Sequence, residues 1–164
     1  MSPDEHRYTP PQSAGAELPA DVAAYLDGSN LVAKTQAMRL STVNPDGWPH
    51  AMLLSAGDML ATSPNTIRFV VFPASSTTQN LERDPRVTLT LALDGGMWEL
   101  FMHTRQLTPT SAEVPLAFFE AEAERVRHHK APYADVTGGI TFALHEAEDV
   151  LPRWERQIAA LRNA

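Results

Sequence analysis

The stretch F-V-V-F-P-A-S-S-T-T-Q-N-L-E-R-D-P-R-V, Phe69–Val87, carries strand, turn, helix and strand signals in immediate succession. Phe69–Phe72 is a short apolar run of the kind a buried strand needs. Pro73 ends it, and four hydroxyl residues follow: Ser75, Ser76, Thr77 and Thr78. The pattern turns helical through Gln79–Arg83 and stops at Asp84-Pro85, because a residue before proline disfavours the α conformation. A second strand begins at Arg86. A helix that starts at the hydroxyl cluster presents unpaired N–H groups, which suit an anion such as a phosphate. Ordinary N-capping also accounts for a hydroxyl here, with Ser76-x-x-Gln79 in the spacing of a capping box. On the residues alone, both readings stay open.

Upstream of this stretch the pattern is that of strands. Arg39–Val43 alternates polar and apolar residues, as a half-buried strand does. Asn44-Pro45-Asp46-Gly47 is a turn signal, and Trp48–Ser55 returns antiparallel with Met52-Leu53-Leu54 expected to be buried on both faces. Thr66–Phe72 then leads into the hydroxyl turn. Before the first hairpin, Leu18–Asp27 is expected to form a short helix closed by a left-handed Gly28. Residues 1–17 are polar and rich in Pro, Ser and Gly, and are expected to form a flexible arm or a strap across a partner subunit.

Downstream, Val87, Leu89, Leu91 and Leu93 point one way and Arg86, Thr88, Thr90 and Ala92 the other. Asp94-Gly95-Gly96 is a tight hairpin signal, and Met97–Leu107 is the partner strand, with Trp98, Leu100 and Met102 on one face. Glu99, Phe101, His103 and Arg105 share its other face. Residues 112–130 are expected to be helical, with Phe118, Phe119, Ala123 and Val126 on the buried side and His128, His129 and Lys130 at the C-terminal end. A last strand is expected at Ile140–Leu144. A closing helix follows over Val150–Leu161, with Leu151, Trp154, Ile158 and Leu161 in one stripe. The expected fold is mainly β (α+β): a six-stranded antiparallel barrel in one domain, residues 18–164, with a short inserted helix and two C-terminal helices.

Composition removes several function classes. A chain of 164 residues with 43% apolar and 20% charged residues is that of one globular domain. A net charge of −7 argues against nonspecific nucleic-acid binding, and only Lys34 and Lys130 are lysines. With no cysteine there is no disulfide framework, thiolate metal site or thiol nucleophile. No apolar run matches a membrane span or a signal peptide, so the cytoplasm is the expected compartment. The six histidines make neither an H-x-H on a strand nor an H-E-x-x-H on a helix, and no metal site is expected. No Gly-x-Ser-x-Gly elbow, Walker loop or G-x-G-x-x-G occurs. Acid–base work by Glu99, His103 and Arg105 remains conceivable, and a polar rim explains them equally well.

Arg39–Val43, the Asn44–Pro49 hairpin, Met52–Ser55, Phe69–Phe72 and above all Ser75–Val87 with its N-L-E-R-D-P-R-V ending resemble the pyridoxamine 5′-phosphate oxidase-like, FMN-binding split-barrel superfamily. The resemblance spans roughly residues 35–107. It implies a split β-barrel homodimer with two flavin sites at the subunit interface. Met52, Leu53, Leu54 and Ser55 would lie along the flavin ring, and Phe72, Ser75, Ser76, Thr77, Thr78 and Gln79 would form the phosphate turn. Arg39, His50 and Trp98 complete the expected cofactor-binding set; no catalytic residue is assigned. Relatives that bind FMN tightly often carry an Arg-Lys pair where this chain has Ser76 and Thr77, and an Arg and a Lys where it has His50 and Ser55. Charge-assisted hydrogen bonds are about twice as strong as neutral ones, so weaker FMN binding is expected. The resemblance implies a flavin-dependent oxidoreductase acting on a small organic substrate. Two alternatives stay open: the same fold with a deazaflavin or a haem (His50 or His103 as ligand), and a non-catalytic dimeric module without cofactor.

Overall fold

A computed structural model describes residues 7–164. The chain builds β1 (Gln12–Ser13), α1 (Ala20–Tyr25), β2 (Met38–Val43), β3 (Pro49–Leu54), β4 (Met59–Ser63), β5 (Thr66–Val71), α2 (Ser76–Arg83), β6 (Arg86–Leu93), β7 (Gly96–Leu107), β8 (Ala117–His129) and α3 (Ala147–Asn163). All strand pairs are antiparallel, in the order β3-β2-β6-β7-β8-β5-β4, and β1 pairs with β8 beyond the end of β5. The class is the expected one, a mainly β split barrel with few helices. It has seven strands on the main path, against six expected from the sequence.

Turn chemistry sets the register. Gly47 adopts φ +87° and donates its N–H to the Asn44 carbonyl at 2.9 Å, fixing β2 opposite β3 from Met38↔Leu54 to Val43↔Pro49. Asp94 and Gly95, at φ +59° and +75°, form the tight turn that aligns β6 with β7. Gly28, at φ +78°, turns the chain out of α1, which is shorter than expected.

Residues 112–130 do not form a helix, and a single C-terminal helix remains where two were expected. The run Ala117–His129 is β8, an interior strand of the sheet that pairs with both β5 and β7. Its Glu and Ala content favours a helix locally, but Phe119, Ala121 and Ala123 are buried and Glu122 and Glu124 exposed, an alternation of period two. A register shift opposite Phe101/Met102 then returns Val126 to the core at 0% exposure. Pairing on both sides outweighs propensity, and Glu120 is satisfied between Arg68 (2.9 Å) and Arg105 (2.8 Å). Burial pushes the Glu120 carboxyl up, but the two arginines outweigh this and hold it below its usual range.

Other differences are smaller. Ile140–Leu144 makes only a bridge at Thr141 to Gln36 rather than a strand. Leu53 is 47% exposed rather than buried, because β3 alternates and Leu53 shares the outer face with Arg39 opposite it. Within the expected arm, residues 1–6 lie outside the described residues. Gln12–Ser13 pair with His128 and Arg127, and the Ala14 N–H donates to the Val126 carbonyl.

Phe69, Phe119, Leu40, Leu89 and Leu100 fill the barrel, with the Phe69 and Phe119 rings stacked at 5.6 Å, and Phe118 is buried on the opposite face of β8. Burying each such side chain contributes about 1.5–3 kcal/mol. The helix α3 packs Trp154, Ile158 and Leu161 against the β4–β5 side. It is anchored at its C-terminal end by Arg68, which donates to the carbonyls of Leu161 (2.9 Å) and Ala164 (2.7 Å).

Candidate functional site

The two sheet edges do not pair, and a cavity of about 470 Å³ opens between them. Met52, Leu53 and Leu54 of β3 form one wall, and Val70, Val71 and Phe72 at the end of β5 form the other. The loop before β8, with Val114 and Leu116, and one side of α3, with Arg153, Arg156 and Gln157, complete the lining. The volume lies in the range of small-molecule sites.

The turn after Phe72 uses its hydroxyls largely on itself. Ser75, not Ser76, is the N-cap: its Oγ accepts the Thr78 N–H at 3.2 Å, and Thr78 Oγ1 donates to the Phe72 carbonyl at 2.7 Å. Thr77 is buried, whereas Ser76 and Gln79 are exposed. The capping reading of the sequence therefore holds for Ser75 and Thr78. Ser76 offers an exposed hydroxyl, beside the unpaired N–H groups of a helix start. Asn80 locks α2 to the first hairpin, its Nδ2 donating to Thr42 Oγ1 and Asn44 Oδ1, both at 3.0 Å. Asp84 stops the helix in an extended conformation, and Arg86 beside it holds its carboxyl down at about 2.

Ser55 closes the far end of the β3 wall. Its Oγ donates to Asp58 Oδ2 at 2.8 Å, its N–H donates to the same oxygen at 2.9 Å, and Gln157 Nε2 donates to Asp58 Oδ1 at 2.8 Å. This network ties the β3–β4 turn to α3.

Other expected site residues lie apart from the cavity in the same chain. Arg39 is exposed on the outer face of β2, between Leu53 and Thr90. His50 is half-buried at the start of β3, opposite Thr42. Trp98 is stacked on His128 with centroids 4.1 Å apart, its Nε1 donating to Asp94 Oδ2 at 2.9 Å. The outer sheet face holds a groove of about 900 Å³ lined by Ser41, Val43, Thr88, Phe101, His103 and Arg125. There the Arg125 guanidinium lies 4.3 Å from the Phe101 ring centre, and His103 Nε2 is 2.6 Å from Glu124. Farther along the same face, burial pushes the Glu99 carboxyl up, but hydrogen bonds from His129 and Arg127 outweigh it and hold it below its usual range. No group of three or more potential metal ligands occurs among the described residues.

Sequence reasoning missed Asp58, Arg153, Arg156 and Gln157. The only available signal was the stripe of α3, whose Trp154 and Ile158 fix the buried side and leave Arg153 and Arg156 on its flank.

An open antiparallel barrel with a ligand-sized split, fronted by an N-L-E-R-D-P-R-V helix end, defines a split-barrel protein. The chain belongs to the pyridoxamine 5′-phosphate oxidase family, whose sequence profile matches residues 29–131. The YclD protein of Bacillus subtilis is 34% identical over 139 residues, 84% of this chain and 90% of that protein. Among solved structures, a pyridoxamine 5′-phosphate oxidase-like protein of Lactobacillus delbrueckii superposes with a TM-score of 0.54 at 16% identity, over 69% of this chain and 95% of that one. Rv2991 of Mycobacterium tuberculosis gives 0.54 at 17% identity, over 79% and 98%. The haem storage protein HutZ of Vibrio cholerae gives 0.50 at 10% identity, over 70% and 97%. No helix among the described residues is long and apolar enough to cross a membrane.

Proposed function

We propose that the chain is a flavin-dependent oxidoreductase that binds FMN in the split of its barrel and acts on a small organic substrate. The cavity between the β3 edge and the end of β5 carries this reading, because it is the right size and lies on elements within the family match. An edge strand offers unpaired N–H and C=O groups, which suit the polar rim of a flat heterocycle. Met52, Leu54, Val70 and Val71 supply apolar walls. The phosphate would fall to the Ser76 hydroxyl and the N–H groups at the start of α2, without a cation in the turn. Bound FMN would supply two-electron redox chemistry, and the protein would supply binding, orientation and exclusion of water.

In this reading a second copy packs over the outer face, where Val43, Trp48 and Leu53 are exposed. A dimer mass in solution by light scattering is the expected result.

The experiment is a visible absorbance scan of the purified protein before and after incubation with excess FMN and desalting. Flavin bands that stay with the protein support the reading. Ser76→Arg should tighten FMN about tenfold and leave riboflavin unchanged, because only FMN carries the phosphate. Equal effects on both ligands place the phosphate elsewhere. A Soret band overturns the reading in favour of a haem role like that of HutZ, although no histidine among the described residues lines the split. A protein that takes up neither chromophore is a non-catalytic module.

A further inference from the structure

We infer that the ligand of the split carries an anionic group, a carboxylate or phosphate, held by Arg153 and Arg156 of α3. The inference rests on the reading of the split as the ligand site and names a chemical class for what enters it. Both arginines line the cavity. Three residues apart, they occupy one side of α3. Their backbone is fixed by the residues beside them: Trp154 is 4% exposed, and Gln157, also 4% exposed, bonds the Gly57 carbonyl at 3.0 Å and Asp58 at 2.8 Å.

Neither arginine forms an ion pair among the described residues, although the chain has 20 carboxylates to 13 lysines and arginines. Arg68, Arg86, Arg105 and Arg127 find acidic partners; Arg39, Arg83, Arg125 and Arg162 form no ion pair among the described residues, but Arg153 and Arg156 are the two arginines that line this cavity. At the cavity, Asp58 is turned toward Ser55 and Gln157, which hold both its oxygens, and among the described residues neither it nor Glu113 pairs with the two guanidinium groups. Arginine presents a planar fork that matches carboxylate and phosphate oxygens in pairs. The apolar walls of β3 and β5 take a flat ring, and the arginines take the charge at its edge. They lie outside residues 29–131, so this anion site is a feature of the C-terminal helix rather than of the matched family region.

The test uses a matched probe pair, naphthalene-2-carboxylate and naphthalene-2-carboxamide, titrated by calorimetry into the full-length protein free of flavin and again after FMN saturation. The expected result is carboxylate binding at least ten times tighter than carboxamide, with the preference falling to within about twofold in Arg153→Gln/Arg156→Gln. The melting temperature of that variant should stay unchanged, since both side chains are exposed and unpaired. Competition between FMN and the carboxylate places both rings on the same apolar walls, and a preference for FMN over riboflavin that is lost in Arg153→Gln/Arg156→Gln then moves the flavin phosphate from the start of α2 to the arginines, whereas undiminished binding to the FMN-loaded protein assigns the arginines to a second, anionic molecule. Absence of carboxylate binding, equal affinity for the two probes, or a preference that survives in the double variant overturns the inference. Failure to retain FMN, by contrast, sinks only the flavin reading, because the flavin-free titration still reports on the arginines.

Discussion

Gly57 is the contact through which α3 is seated on the barrel, and Gly57→Ala should unseat it. A Cβ at this position would lie 2.1, 2.3 and 2.5 Å from Cγ, Cδ2 and Cδ1 of Trp154, against ordinary contact from 3.4 Å outward. The obstacle is a buried ring braced edge-on by Phe142 at 6.1 Å, so it has little room to rotate away. The helix must therefore retreat by roughly 1 Å, and a gap of that size forfeits about a quarter to a half of each dispersion contact. Trp154, Ile158 and Leu161 share the buried stripe and each contributes about 1.5–3 kcal/mol, so the loss comes to about 1–4 kcal/mol. For a chain of this length that lowers the melting temperature by roughly 2–16 °C.

A double-mutant cycle separates this clash from any other effect of the substitution. Trp154→Ala should itself cost about 3–5 kcal/mol through the cavity it leaves. In that background the added methyl meets no ring. Because Gly57 does not have positive φ, alanine there should be neutral or stabilise by about 0.4–1 kcal/mol through the unfolded chain. The sign of the Gly57→Ala effect therefore reverses between the two backgrounds, as read by urea unfolding. An equal cost in both, or no cost in the wild-type background, refutes the packing argument.

Three further perturbations test other joints of the fold. Arg68→Met removes the donors to the Leu161 and Ala164 carbonyls and leaves Glu120 with Arg105 alone; a loss of about 1–3 kcal/mol in urea unfolding is expected, and none would mean that α3 does not depend on this anchor. Asn80→Ala strips the buried Thr42 hydroxyl of its donor and detaches α2 from the first hairpin, so the urea midpoint should fall by about 1–3 kcal/mol equivalent with an unchanged m-value. Asp27 and Asp84 are held at about 2, and Glu99 and Glu120 below the usual range, so each binds protons more weakly folded than unfolded. Their contribution is complete above the unfolded values of 3.8 and 4.5 and is lost as pH falls through the folded ones, so melting temperature should be flat above about pH 5 and drop toward pH 2; a drop starting near neutrality contradicts this.

The hairpins and the D-P-R helix stop were legible in the sequence because their signals are local. Gly47, Asp94-Gly95 and Asp84-Pro85 dictate backbone geometry whatever surrounds them. The strand β8 was not, because its alanines and glutamates favour a helix until β5 and β7 pair with it on both sides. The split was half legible. Its β3 and β5 walls follow from strand patterns, but Arg153 and Arg156 enter the cavity only through where α3 lands, which depends on Gly57, Asp58 and Arg68 far away in sequence.

That landing joins stability to recognition. An open barrel leaves strand edges that invite unwanted pairing, and covering an edge with a helix is one way to protect it. The helix α3 lies across the β4 side and reaches the cavity beside β3, so the element that shields the opening also shapes what can enter. In the turn after β5 this chain sets hydroxyls, two of them spent on capping, and it brings its unpaired arginines in from the helix. Charge at this split is therefore a property of helix placement. A substitution that moves α3, such as Gly57→Ala, should weaken binding of the anionic probe more than that of its neutral analogue. Arg68→Met should do the same in proportion to its destabilisation. A packing mutation in the barrel interior far from α3, such as Leu89→Ala, should instead lower stability without changing the preference between the two.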